Sequence, residues 1–321
     1  MRRPTNALSH HDFVQLSQTC KPHEIMVCYH STFDFPAIFD QYIPELTEYW
    51  QRESPELKDF PSIVHLNDVV TYLGEGGAAP GMLLRYCQTS YFRFLFSNYS
   101  LDIKLSDGTT LRQLLGTDQV GEMKLSPTCM GASRKTFLFP DLGNSLGITI
   151  SIATVDEQFI IAKRSEACKS LARDKGNWLC AVGTQIKRHQ QRFLGEDGVP
   201  YPHLSAQEGL KDEMGQAIAA TCGPLVCTGI VYRNDFQHCE LLYQTESSLR
   251  GDDLIRMWKE TEVPDRREFA EILCMDVRTP DQLLVHLSDL SNAWSPQHAA
   301  GAIHYLASKF PEAMSGFGLS F

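Results

Sequence analysis

The chain has 321 residues, of which 43% are hydrophobic and 21% charged, with a formal net charge of -10. That length favours two domains, each able to bury its own core, and no stretch approaches the roughly 20 unbroken apolar residues that span a bilayer, so no membrane partner is expected. The acidic balance argues against nucleic acid as a partner, because a polyanion is repelled before a local basic patch acts, whereas a small anionic ligand needs only local cations or a metal.

The amino-terminal MRRPTNALSHHDFV lacks the apolar run of a secretory signal and the carboxyl-terminal GFGLSF matches no lipidation pattern, so a cytoplasmic location is expected. Ten cysteines are scattered without a C-x-x-C pair, as befits reduced thiols acting as small apolar residues. Cys222 and Cys227 flank a Gly-Pro and read as a turn.

In chain order, AIFDQYIPELTEYWQRE has the spacing of an amphipathic helix and IVHLNDVVTYLGE is a mixed apolar segment. GEGGAAPGM (74–82) and the stretch 106–128 interrupt the first half with glycine and polar residues. TSYFRFLFSNYSL (89–101) is dense in aromatics. Without an interleaved basic run, packing explains it better than base stacking. PDLGNSLG (140–147) reads as a connecting loop, which sets an N-terminal α+β domain over 1–143 and a second domain over 144–321.

The second domain opens on a hairpin, LGITISIA and QFIIAKRS, followed by NWLCAVGTQI as a further strand. After the polar insertion KRHQQRFLGEDGVPYPHL come a helix, the paired strands LVCTGIVYR and HCELLYQTE, and the helix LRGDDLIRMWKET. The strand FAEILCMDV and two closing helices, DQLLVHLSDL and QHAAGAIHYLASKF, complete the chain. Mixed strands with helices on both sides predict an α/β sandwich.

The helix SAQEGLKDEMGQAI (205–218) carries the chemistry. Ser205 with Glu208 three residues on is a capping-box pattern and predicts that the helix starts there. On a helical wheel with Glu208 at zero, Ala206, Leu210, Met214, Ala217 and Ile218 fall between about 160° and 280° as one apolar face. Asp212 falls at about 40°, pointing away, and Glu213 at about 140°, at the edge of that face. A carboxylate at an apolar edge calls for a cation, either an arginine or lysine or a metal. The plainer alternative is that Glu213 pairs with a basic side chain while Glu208 and Asp212 favour the helix N-terminus.

EGLKDEMG, preceded by NWLCAVG and by the hairpin ending in IIAKRS, resembles the Nudix family, whose box is G-x5-E-x7-R-E-U-x-E-E-x-G-U with U a bulky aliphatic. Gly183 resembles the opening glycine, Leu210 the aliphatic, Asp212 and Glu213 the acidic pair and Gly215 the closing glycine, with order and context matching over about residues 146–309. The resemblance implies a Nudix-type α/β/α sandwich with a mixed sheet and a hydrolase that cleaves a diphosphate linkage in a small organic diphosphate with Mg2+ or Mn2+. It assigns Asp212 and Glu213 as catalytic, Glu208, Asp212 and Glu213 as metal ligands, and Lys163 and Arg164 as the grip on substrate phosphates. The aromatic-rich first domain is expected to cover one side of the pocket.

The motif also departs from the family. Its Arg-Glu dipeptide falls on Glu208-Gly209, Asp212 stands for a glutamate, and the insertion leaves Glu196 or Asp197 as candidates for the early acid. Glu240, Glu268 and Glu271 are further acids that neighbouring elements bring near, and His189 and His203 bracket the insertion. Gly209, at about 100° on the wheel, lies between Asp212 and Glu213. That gap supports the alternative of a Nudix-fold ligand-binding or regulatory protein that has lost hydrolysis. An isomerase on the same fold lacks a matching cysteine motif.

Overall fold

The structure is a computed structural model that describes residues 13–32, 37–53, 63–72, 81–115, 126–127, 133–135, 142–166, 175–188, 190–233, 238–289 and 291–315. The amino-terminal arginines, most of the glycine-rich stretch at 74–82, parts of the stretch at 106–128, Cys129, Cys168, His189 and the final GFGLSF lie outside the described residues.

The first half contributes β1 (Phe13–Cys20), β2 (Ile25–Thr32), α1 (Ile43–Glu53), β3 (Ile63–Tyr72), β4 (Gly81–Thr89), α2 (Tyr91–Phe94), α3 (Leu111–Leu114), β5 (Ser126–Pro127) and β6 (Ser133–Lys135). The second half contributes β7 (Leu146–Thr154), β8 (Gln158–Arg164), β9 (Trp178–Cys180), β10 (Val182–Gln185), α4 (Pro202–Met214), α5 (Gln216–Ala219), β11 (Val226–Arg233) and β12 (His238–Ser247). The chain continues with α6 (Gly251–Glu260), β13 (Phe269–Asp276), α7 (Asp281–Ser288), α8 (Pro296–Lys309) and α9 (Pro311–Ser315).

Two mixed sheets result. The larger runs β1-β11-β12-β7-β8-β13, with β10 on β7 and β9 on β8, and the smaller runs β2-β4-β3-β6-β5. β12 and β7 are parallel, while β11 to β12 and β13 to β8 are antiparallel. The fold class is therefore mixed α/β, as the alternation of strand and helix patterns predicts.

Strand periodicity sorts the larger sheet into two faces. Ile148, Ile150 and Ile152 of β7 join Leu241 and Tyr243 of β12 in a core closed by Ala206, Leu210 and Met214 of α4 and by Leu254 and Trp258 of α6. On the other face Phe159, Ile161, Trp178 and Cys180 pack against Leu283 and Leu287 of α7 and Ala299, Ala302 and Leu306 of α8. Helices cover both faces. A third cluster gathers α1 and the aromatic segment, with Phe39, Leu46, Trp50, Leu95 and Phe96 buried together. Phe94 packs its ring 5.0 Å from that of His238 on β12. The aromatic row is thus largely spent on packing.

Two features tie the first half to the second across the expected boundary near residue 143. β1 pairs antiparallel with β11 in the larger sheet, and Ile25, Val64, Met82, Leu84 and Tyr86 of the smaller sheet join the core beneath α4. Tyr86 also donates its hydroxyl to the Pro200 carbonyl, and Val64 N–H donates to the Ile186 carbonyl at 3.3 Å. The smaller sheet thereby fixes both ends of the segment between β10 and α4. Among the described residues, no helix is long and apolar enough to cross a membrane.

Candidate functional site

The site sits where the larger sheet divides. β7 and β8 pair beside their turn, at Ala153 and Phe159. Further along, β10 pairs with β7 from Val182–Ile150 to Gln185–Gly147, and β9 pairs with β8 from Ile161–Cys180 to Lys163–Trp178. The continuous strand predicted over 177–186 is therefore two short ones that turn back at Ala181. Gly183 lies on β10 in the fork so formed, with helix α4 on one side and α8 on the other.

Helix α4 begins at Pro202, three residues before the start expected at Ser205. Proline at the first helical position has its φ already set, and its missing N–H is one that a helix start leaves unpaired anyway. Ser205 accepts instead from the Lys187 N–H at 3.2 Å. The helix ends where Gly215 takes φ 92, a backbone conformation open to glycine. The chain then restarts as α5, which carries Ala217 to the surface while Ala206, Leu210, Met214 and Ile218 stay buried as the wheel predicts.

Glu208 and Asp212 turn toward one side chain that the wheel does not contain. Arg192, on the short 3-10 turn Gln191–Phe193, donates Nη1 to Asp212 Oδ1 at 2.9 Å and Nη2 to Asp212 Oδ2 at 3.0 Å. The same Nη1 reaches Glu208 Oε2 at 3.1 Å, and Lys211 holds the other Glu208 oxygen. Lys187 Nζ lies 3.9 Å from Asp212 Oδ2. Asp212, expected to point away from the core, is only 8% exposed because Arg192 covers it. These two acids take basic partners, whereas the plainer alternative gave such a partner to Glu213 and left Glu208 and Asp212 to favour the helix N-terminus.

Glu213 is placed differently. Its Oε2 accepts the Gly183 N–H at 3.0 Å inside the fork. Burial pushes its carboxyl up to about 8, against the pull of that N–H, of Arg164 and of Lys187, with Glu268 adding to the rise. Over Gly183 lies the buried His298 of α8, and a Cβ built on this glycine would stand 2.7 Å from the imidazole Nε2. Gly183 thus admits a helix on one side and a carboxyl on the other.

Gly209, the gap in the motif, is closed by packing. A Cβ there would lie 2.6 Å from Thr184 Cγ2 and 3.1 Å from Thr184 Cβ. The position faces β10 at close range, so it is not an open space between carboxylates.

Among the other expected residues, Arg164 reaches the fork, with Nη1 3.5 Å from Glu268 Oε2. Lys163 is on the opposite face of β8, its ammonium 5.6 Å from the Trp178 ring centre, since neighbouring residues of a strand point to opposite sides. Glu268 comes to Glu213, whereas Glu271 pairs across from Lys163 and is exposed. Glu240 is buried on the α8 face, bonded to the Thr149 hydroxyl and given room by Gly147. Glu196 is exposed, and Asp197 is spent on the Tyr201 hydroxyl at 2.8 Å and the Val199 N–H at 3.0 Å. His203 is partly buried, which lowers its pKa.

Arg192, Lys187 and His298 complete the site without having been singled out in the sequence. A separate cleft of about 1050 Å³, lined by Thr154, Glu157, Gln244, Tyr305 and Lys309, opens at the carboxyl ends of β7 and β12, away from α4.

A magnesium or manganese ion needs oxygen ligands that converge with their lone pairs available. Here the Glu208 and Asp212 oxygens converge on a guanidinium and Glu213 engages a backbone N–H. Among the described residues, no group of three or more His, Cys, Asp or Glu is disposed to hold a metal. As arranged, Glu208, Asp212 and Glu213 do not fit one divalent ion.

No family model matches the chain, and no curated protein matches it. Among solved structures it is similar to the crystal structure of DR0079 from Deinococcus radiodurans at 1.9 Å resolution, with 12% sequence identity and a TM-score of 0.35. That match covers 57% of this chain and 98% of the other. A likeness of this size carries nothing about fold or activity.

Proposed function

We propose that this is a Nudix-like protein that binds a small molecule bearing a diphosphate in the fork beside Gly183, and that it holds this ligand without metal-dependent hydrolysis. The observation that carries the reading is the Arg192 guanidinium between Glu208 and Asp212, a fixed positive charge where the resemblance calls for a metal.

Arg164 and Lys187 supply the charge for the anion. Arg164 Nη1 lies 3.5 Å from Glu268 Oε2 and Lys187 Nζ 3.9 Å from Asp212 Oδ2, so each cation stands at the fork beside an acid. Phosphate oxygens compete well for such groups, because charge-assisted bonds to guanidinium are short and directional. Glu213 favours the anion too. With its carboxyl pushed up to about 8, it is mainly protonated at neutral pH and offers an O–H donor in place of a repelling charge. Lys163 faces the other side of the strand and has no part in this grip. The first half of the chain contributes by positioning, since the smaller sheet fixes the segment that carries Lys187 and Arg192.

The second reading is the metal-dependent diphosphate hydrolase. Glu268 favours it, as a second acid within electrostatic reach of Glu213 at the fork.

Calorimetric titration of the full chain with inorganic diphosphate in EDTA tests the site. Binding to the wild type and a loss of about 10-fold or more in Arg164→Gln, the scale of one charge-assisted bond, are expected. Equal affinity in the two proteins would remove the anion from this fork.

A further inference from the structure

Arg192 reaches α4 from outside the helix and is held by neighbours of its own. Its Nε donates to Gln190 Oε1 at 2.8 Å, which leaves Nη1 and Nη2 for Glu208 and Asp212. The guanidinium carbon lies 4.7 Å from the ring centre of Phe193, which is 1% exposed and anchors the turn. The carboxylates raise the pKa of Arg192 still further, chiefly through the bonds it donates to Asp212, and an arginine does not lose its proton in any case.

The Arg192 side chain is 40% exposed, so the edge of the pair is open to water. An ion from solution has access to the same carboxylates. It must displace a two-pronged bond made by a group tethered to the same fold, whose effective concentration is far above that of a free cation.

We propose that Arg192 is a built-in cation that takes the place of a divalent ion between Glu208 and Asp212, and that removing it turns this pair of carboxylates into a divalent-cation site. The proposal rests on the reading that the wild type works without metal. Two carboxylates are fewer than a dedicated metal cage offers. They suffice for a hard cation that keeps several of its waters, which must then compete with the single ammonium contacts of Lys211 on Glu208 and of Lys187 on Asp212 in place of the two-pronged guanidinium.

Mn2+ alone is the probe, with bound ion counted by electron paramagnetic resonance on the full chain and melting temperature recorded alongside. Arg192→Met is expected to take up one Mn2+ with an affinity about 10-fold or more above that of the wild type, the scale by which rearranged ligand partners change metal affinity. Its melting temperature should rise with Mn2+ concentration, as a ligand of the native state requires. Adding Asp212→Asn should abolish both effects.

A wild type that binds one Mn2+ as tightly as Arg192→Met overturns the proposal, as does a folded Arg192→Met that gains none. Should Arg192→Met not fold, Arg192→Gln removes the charge while keeping a polar side chain against Gln190 and Phe193. A gain in Mn2+ affinity in that variant then supports the proposal and no gain overturns it. No diphosphate is present in this assay, so a failure to bind diphosphate would remove the proposed function while leaving these outcomes unaffected.

Discussion

Gly209 of α4 stands against Thr184 of β10 so closely that a Cβ would fall 2.6 Å from the threonine Cγ2. The helix is pressed onto the strand at the point where the acidic motif lacks its acid. Glycine there reflects packing, and a longer side chain has no void to enter.

Gly209→Ala is therefore expected to destabilise the protein by about 1–3 kcal/mol through overpacking, although alanine has the better helix propensity. Pairing it with Thr184→Ala should recover most of that loss. Urea unfolding of the two single variants and the double variant measures this, and a neutral or stabilising Gly209→Ala would show that the helix lifts away without penalty.

Glu213 gives a pH dependence whose sign is fixed. Its carboxyl is pushed up to about 8 in the folded chain from an ordinary value of 4.5. The folded state therefore binds the proton more tightly than the unfolded state. Its contribution to stability is fully present below about 4.5 and is lost as pH rises through about 8. Glu213→Gln removes this titration, so the stability difference between wild type and variant should move against the wild type from pH 5 to pH 9. Parallel curves from chemical unfolding at several pH values would contradict the placement of Glu213.

The same protonation predicts how ligand affinity varies. Diphosphate binding should weaken in the wild type as pH rises through about 8, where Glu213 becomes a negative charge. Glu213→Gln should bind with little change over that range. Titrations at pH 7 and pH 9 separate the two proteins, and an equal loss in both would assign the pH effect to other groups.

Tyr86 tests the link between the halves of the chain. Its buried hydroxyl donates to the Pro200 carbonyl, two residues before α4 begins. Tyr86→Phe leaves that carbonyl without this donor and should cost about 0.5–1.5 kcal/mol. If the smaller sheet positions the segment carrying Arg192, hydrogen exchange of amides 186–200 should quicken in the variant. Unchanged exchange would show that the segment is held by other contacts.

Much of the second half was legible because its strands and helices have strong periods. The hairpin of β7 and β8, the pair β11 and β12, and helices α6, α7 and α8 lie where apolar alternation and helical spacing put them. The buried face of α4 was legible for the same reason. Its start was not, since Ser205 and Glu208 imitate a cap while Pro202 begins the helix.

Arg192 was hidden for a different reason. It is 20 residues from Asp212 in a segment without period, and only the packing of Phe193 and the smaller sheet brings it to the helix. The pairing of β1 with β11 is similarly non-local. The opposite directions of Lys163 and Arg164 follow from strand alternation. Adjacent in sequence, the two look like one basic end, and only the pleat of β8 parts them.

Whether the fork binds its ligand without a metal is decided by comparing diphosphate affinity in EDTA with affinity in excess Mg2+ and analysing the recovered ligand. The same dissociation constant in both buffers and intact diphosphate at the end are expected. Binding that appears only with Mg2+, accompanied by release of orthophosphate, would contradict it.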